Sequence, residues 1–226
     1  MNYPLKYLFS FILLLILAWA VWQIGENSFG WQNVHTEKFS SIFKRKNPEE
    51  SSFAPSGSFF EEFDGLPSFP ITDGEIDGGL YVIPNSSPSL SKVVLVPGIE
   101  TRNFILEARI GRTGNRGSVG GLAFFVRNEE EYHLFGMDGI GQFVLVRYTD
   151  GRFIPLSEDV SVSTSVRPGR FNVLRVVSTD EFLEFFINSR EIFATRDVKE
   201  QDLGGVGFFV DPACTLKVDW LLFSRI

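Results

Sequence analysis

Chemistry in this chain would have to come from few groups, because its 226 residues include two histidines, His35 and His133, and a single cysteine, Cys214. His35 lies in a polar stretch and His133 alternates with Tyr132 and Leu134, so no histidine-based triad has its members. His133 reads as a hydrogen-bonded strand residue. One cysteine allows no intrachain disulfide, and no zinc-ligand spacing is present. Glu129-Glu130-Glu131 is the densest carboxylate run, but it follows Asn128 in a turn signal, where a solvated charge run is the simpler reading. Asp73-Gly74-Glu75-Ile76-Asp77-Gly78 imitates the start of an EF-hand loop. Loop position twelve, which must be acidic, is Pro84, so the motif fails.

The elements that would position these groups are strands. In Phe104-Ile105-Leu106-Glu107-Ala108-Arg109-Ile110 one face is Phe, Leu, Ala, Ile and the other carries Glu107 and Arg109, the pattern of a half-buried antiparallel strand. The ranges 122–127, 131–137, 141–148, 171–178, 181–188, 190–195, 205–210 and 215–224 also read as strands. Asp138-Gly139, Asp150-Gly151, Arg167-Pro168-Gly169 and Asn188-Ser189-Arg190 separate them as turns. With 24 Phe for a core and 21 Gly for turns, the expectation is one all-β, two-sheet sandwich over residues 58–226.

Ahead of it, residues 7–24 (YLFSFILLLILAWAVWQI) are apolar and uncharged. At ~1.5 Å per residue such a run just crosses a bilayer core. Residues 1–24 are therefore expected to be an N-terminal transmembrane anchor, with Leu8, Phe11 and Leu14 toward lipid and Trp19 and Trp22 near an interface. The competing expectation is a cleaved signal peptide, since Lys6 precedes the run and Ala18-Trp19-Ala20 fits a cleavage site. Residues 25–57 read as a polar linker in which Phe39, Ile42 and Phe43, beside Lys44-Arg45-Lys46, could lie on a membrane or partner. From Ser58 onward 16 Lys+Arg face 24 Asp+Glu, a net −8 that repels phosphate backbones and excludes nucleic acid as a partner.

Several segments in order resemble concanavalin A-like (laminin-G-like) jelly rolls: Phe60-x-x-Phe63-Asp64, Gly79-Leu80-Tyr81, and Asn103-Phe104-x-Leu106-x-Ala108. Gly120-Gly121-Leu122-Ala123-Phe124-Phe125-Val126-Arg127 with Tyr132-His133-Leu134-Phe135 is similar to the 3-keto-disaccharide hydrolase-like subgroup. Gly204-Gly205-Val206-Gly207-Phe208 and Val218-Asp219-Trp220 agree. The resemblance implies a jelly roll whose concave sheet binds sugar, which points to Phe125, Arg127, His133, Phe135 and Arg147 as carbohydrate-binding residues. Phe125 and Phe135 have the alternative of simply filling the core. The resemblance also implies a structural calcium ion on Asp219 and Asp64, the one cofactor expected. Glycosidases of this fold carry paired carboxylates on one strand, and no such pairing is seen here.

The leading functional expectation is a membrane-anchored, non-catalytic interaction module, an accessory or scaffolding subunit touching membrane lipid and other membrane protein subunits. Its alternative is a carbohydrate-binding or glycoside-cleaving domain at the cell envelope. In both, the sandwich is expected outside the cytoplasm, periplasmic or at the cell surface.

Overall fold

A computed structural model describes residues 57–156, 165–196 and 203–226. The expected anchor, with Leu8, Phe11, Leu14, Trp19 and Trp22, and the linker up to residue 56 lie outside the described residues. Among the described residues none is helical, and fourteen strands form two antiparallel sheets. They are β1 (Phe59–Glu61), β2 (Glu75–Asp77), β3 (Leu80–Asn85), β4 (Lys92–Leu95), β5 (Phe104–Gly114), β6 (Gly120–Asn128) and β7 (Glu131–Met137). After them come β8 (Phe143–Thr149), β9 (Arg152–Pro155), β10 (Asn172–Ser178), β11 (Leu183–Ile187), β12 (Arg190–Thr195), β13 (Gly205–Val210) and β14 (Cys214–Arg225).

The eight-stranded sheet runs β12-β11-β10-β5-β14-β3-β2, with β1 also on β14. The six-stranded sheet runs β4-β13-β6-β7-β8-β9. Strand β14 is long enough to hold β3 along Cys214–Val218 and β1 along Leu221–Phe223, while β5 runs down its other side. The two similar segments beginning at Gly120 and Gly204 are neighbours, β6 and β13, paired through Ala123↔Gly207 and Leu122↔Phe208.

Alternation assigns the inner faces. In β5, Phe104, Leu106, Ala108 and Ile110 are fully buried, and Leu174, Val176, Phe185 and Ile187 continue the layer across β10 and β11. The opposing sheet supplies Phe124, Phe125, Phe135 and Phe208. Rings then bridge the gap: Phe104 to Phe125 at 5.6 Å, Phe135 to Phe185 at 5.4 Å, Tyr81 to Phe208 at 5.9 Å. Each such buried side chain contributes about 1.5–3 kcal/mol by leaving water, so these rings dominate the fold's cohesion. Several expected boundaries differ by one or two residues; β8 starts at Phe143, not 141, because Asp138 Oδ1 accepts the N–H groups of Ile140, Gly141 and Gln142 and holds them in a turn.

Candidate functional site

The six-stranded sheet is dry on both faces through its middle strands. Its inner face belongs to the core. On its outer face Ala123, Leu134 and Val146 form one cross-strand row, all buried. Tyr132, Tyr148 and Phe153 form the next, with Tyr132 and Tyr148 buried. Burial pushes the Tyr132 hydroxyl well above the usual phenol range and raises that of Tyr148, so both stay neutral.

Of the expected sugar residues Arg127 and Arg147 meet, toward the end of this sheet rather than across an open face. The β6–β7 hairpin turns through Glu129 and Glu130, pairing Asn128 with Glu131, and the Asn128 side chain accepts the Glu130 N–H at 2.8 Å. That turn leaves Arg127, the residue before Asn128, within ion-pair reach of Glu131, and β8 brings Arg147 opposite His133. Both arginines donate to one carboxylate oxygen, Glu131 Oε1, Arg127 from 3.0 Å and Arg147 from 2.8 Å. All three side chains remain 22–31% exposed. Ile154, the cross-strand partner of Arg147 on β9, keeps 48% of its surface in water and sets an apolar surface beside the charged groups.

His133, opposite Arg147, and Phe125, against the His133 ring, adjoin this cluster from inside, and Phe135 lies deeper in the core. Between Phe124 and Asn128 the β6 register slips, and Phe125 takes φ 49°, a left-handed conformation rare for a bulky residue. The slip sends Phe124 and Phe125 to the same side, where the His133 ring lies 5.3 Å from one and 5.4 Å from the other. Phe125, His133 and Phe135 are 1%, 5% and 0% exposed, so the rings expected to stack on sugar are core residues. The physical reason is the bulge together with the inward register of β7, which a period of two does not reveal.

Burial alone would raise the Glu131 pKa, but hydrogen bonds from Arg147 and the charge of Arg127 outweigh it and hold the carboxyl below the usual range. A carboxylate with a depressed folded pKa stabilises the fold above its unfolded pKa and loses that contribution as pH falls through the folded value. Glu131→Gln is therefore expected to cost about 1 kcal/mol at pH 7, the scale of a partly exposed ion-pair network. Chemical denaturation at pH 7 and pH 3 checks this: the gap between variant and wild type should close at the lower pH.

The two expected calcium ligands, Asp219 and Asp64, differ in their surroundings. The Asp219 carboxylate accepts a hydrogen bond from Arg109, and Asp64 is exposed in the loop after β1. Among the described residues no group of three His, Cys, Asp or Glu side chains could hold a metal ion. The half-buried Asp211 is structural, accepting the Val119 N–H at 2.8 Å and the Ser91 hydroxyl at 2.9 Å, which ties the start of β6 to the end of β13.

Sequence reading passed over Glu131, the centre of the cluster, as part of a solvated run. The signal was the two-residue turn Glu129-Glu130, which pairs Asn128 with Glu131 across the hairpin and leaves Arg127, one residue before, within reach of the Glu131 carboxylate.

No protein-family model matches the chain, and no curated protein matches it. Solved structures do. A prokaryotic β-1,3-1,4-glucanase (lichenase) from a mouse hindgut metagenome matches at 13% identity and a TM-score of 0.51, over 75% of this chain and 100% of that one. A structure from work on endo-acting O-glycanases of the human gut microbiota matches at 11% identity and TM-score 0.53, over 74% and 98%. The β-glucanase of Bacillus licheniformis matches at 10% identity and TM-score 0.50, over 76% and 100%. At such identities the likeness concerns the fold, and the chain is thus an all-β sandwich of the concanavalin A-like lectin/glucanase kind.

Proposed function

We propose that the sandwich is a carbohydrate-binding domain without glycosidase chemistry, held at the cell envelope by the apolar segment 7–24. The observation that carries this reading is the Arg127–Glu131–Arg147 cluster: three planar polar groups, fixed by strand register and part-exposed, beside the apolar surface of Ile154. Rigid planar donors and acceptors next to an apolar patch suit the vicinal hydroxyls and C–H face of a sugar. Arg127 and Arg147 donate from their remaining N–H groups, and Glu131 accepts through Oε2.

Binding is favoured over cleavage by the carboxylate inventory. Glycoside hydrolysis ordinarily needs two carboxyl groups about 5–9.5 Å apart, one of them protonated. The six strands of this sheet contain one carboxylate, Glu131, and its arginines keep it ionised. The fold neighbours, which act on glucans and O-glycans, support a glycan ligand over the expected accessory or scaffolding subunit. A screen of the full-length chain in mild detergent against immobilised glycans tests the proposal. Retention on at least one glycan without release of new reducing ends is the expected result; retention on none, or release of reducing ends, overturns it.

A further inference from the structure

Exposed rings that the core does not use lie on the outer face of the eight-stranded sheet. Strand β14 shifts register between Val218 and Trp220, leaving Asp219 without a ladder partner on β5. An extra residue of this kind bends the strand and re-aims its side chains. Asp219 and Trp220 are both half-buried, between the buried Val218 and Leu221. Trp220 meets Phe60 at 5.8 Å, rings tilted by 44°, and Phe60 keeps 52% of its surface in water. Asp219 accepts a hydrogen bond from Arg109, whose guanidinium lies 4.9 Å over the Phe171 ring. Phe171 can lie flat on β5 because residue 111 is glycine: a Cβ there would come 3.3 Å from the ring.

The order across this face is ring, ring, ion pair, ring. Its charges cancel, Arg109 against Asp219 and, next to them, Arg175 against Glu107 at 3.2 Å. A neutral strip on a domain of net −8 offers little to an ionic partner, whereas exposed ring faces beside fixed hydrogen-bonding groups fit an uncharged, hydroxyl-rich ligand.

We propose that this strip is a second sugar contact, on the opposite sheet from the Arg127–Glu131–Arg147 cluster. Trp220 and Phe60 stack on the apolar face of one sugar ring, and the Arg109–Asp219 pair bonds its hydroxyls. The assignment rests on the carbohydrate reading above for the class of ligand, but not on the cluster as the place of contact. With a contact on each sheet, the domain engages two stretches of polysaccharide at once, so its retention by polymers exceeds that by short oligosaccharides.

Affinity electrophoresis of the full-length chain through gels holding mixed-linkage β-glucan, xylan or mucin glycans tests the strip, using Trp220→Ala, Trp220→Phe and Arg147→Ala. Trp220→Ala is expected to weaken retardation by about tenfold in apparent affinity, as loss of ~1.4 kcal/mol would. Trp220→Phe, which keeps a ring, should retain most of it. Unchanged retardation of Trp220→Ala while Arg147→Ala loses binding overturns the strip and leaves the cluster standing. The reverse result supports the strip and removes the cluster. A wild type that no gel retards overturns both, and a Trp220→Ala variant that turns a dimer into a monomer assigns the face to a second copy of the chain instead.

Discussion

Gly121→Ala is expected to be among the most damaging single substitutions in this domain, costing about 3 kcal/mol or more where added bulk in a packed interior ordinarily costs 1–3. Gly121 on β6 faces Gly136 on β7, and Phe209 lies opposite on β13. An added Cβ would collide with the Gly136 Cα and the Phe135 carbonyl oxygen, and would sit 2.9 Å from the Phe135 carbonyl carbon. These are backbone atoms in a paired ladder, so no side chain can swing aside. Relief requires β6 and β7 to separate, and that breaks the hairpin carrying Arg127 and Glu131. Gly117→Ala is the matched control, since nothing lies within 4 Å of the position its Cβ would take. Its stability should stay within about 0.5 kcal/mol of wild type. Equilibrium denaturation of the two variants measures the contrast.

Phe185→Ala should cost about 3–5 kcal/mol, the range for emptying a large aromatic site that cannot collapse. Phe185 is fully buried on β11 and touches three rings: Phe124 at 5.9 Å, Phe135 at 5.4 Å and Phe193 at 6.1 Å. Two of those partners belong to the opposing sheet, so the ring is a bridge between layers, and its loss leaves a cavity walled by strands. The next residue, Phe186, faces outward and lies 5.7 Å from the Arg175 guanidinium. Phe186→Ala should cost only about 0.5–1 kcal/mol, the worth of an exposed cation–π contact. Near-equal losses for the two positions would show that the inward and outward assignments of β11 are wrong.

Strands that alternate cleanly were legible in the sequence. Phe104–Ile110 and Leu183–Ile187 carry their core side chains at every second residue, and the structure buries those residues. The short strands β1, β2, β4 and β9 were not, because three or four residues give a period of two too little length to register and their pairing is set by longer neighbours. Phe125, open to either a sugar-stacking or a core position, is buried for a different reason. A bulge breaks alternation locally, so counting from Leu122 puts Phe124 inward and Phe125 outward, whereas both rings pack against Phe104. Arg127 and Arg147 meet at the Glu131 carboxylate, which the sequence hides because a run of three glutamates looks uniformly solvated. Only the hairpin register distinguishes Glu131 from its neighbours. The Trp220–Phe60 pair depends on a long-range pairing of β1 with β14 and on a bulge, neither of which has a local signature.

The central claim, that the Arg127–Glu131–Arg147 cluster holds a glycan, is tested most directly by calorimetric titration. A retained glycan is titrated into the full-length wild type and into Arg147→Ala. Cys214 reports whether each protein is folded, because its thiol is 2% exposed and should resist alkylation until the sandwich opens. The account predicts that Arg147→Ala keeps Cys214 protected while binding weakens at least tenfold, about 1.4 kcal/mol or more. Unchanged affinity in a variant whose Cys214 stays protected would contradict it.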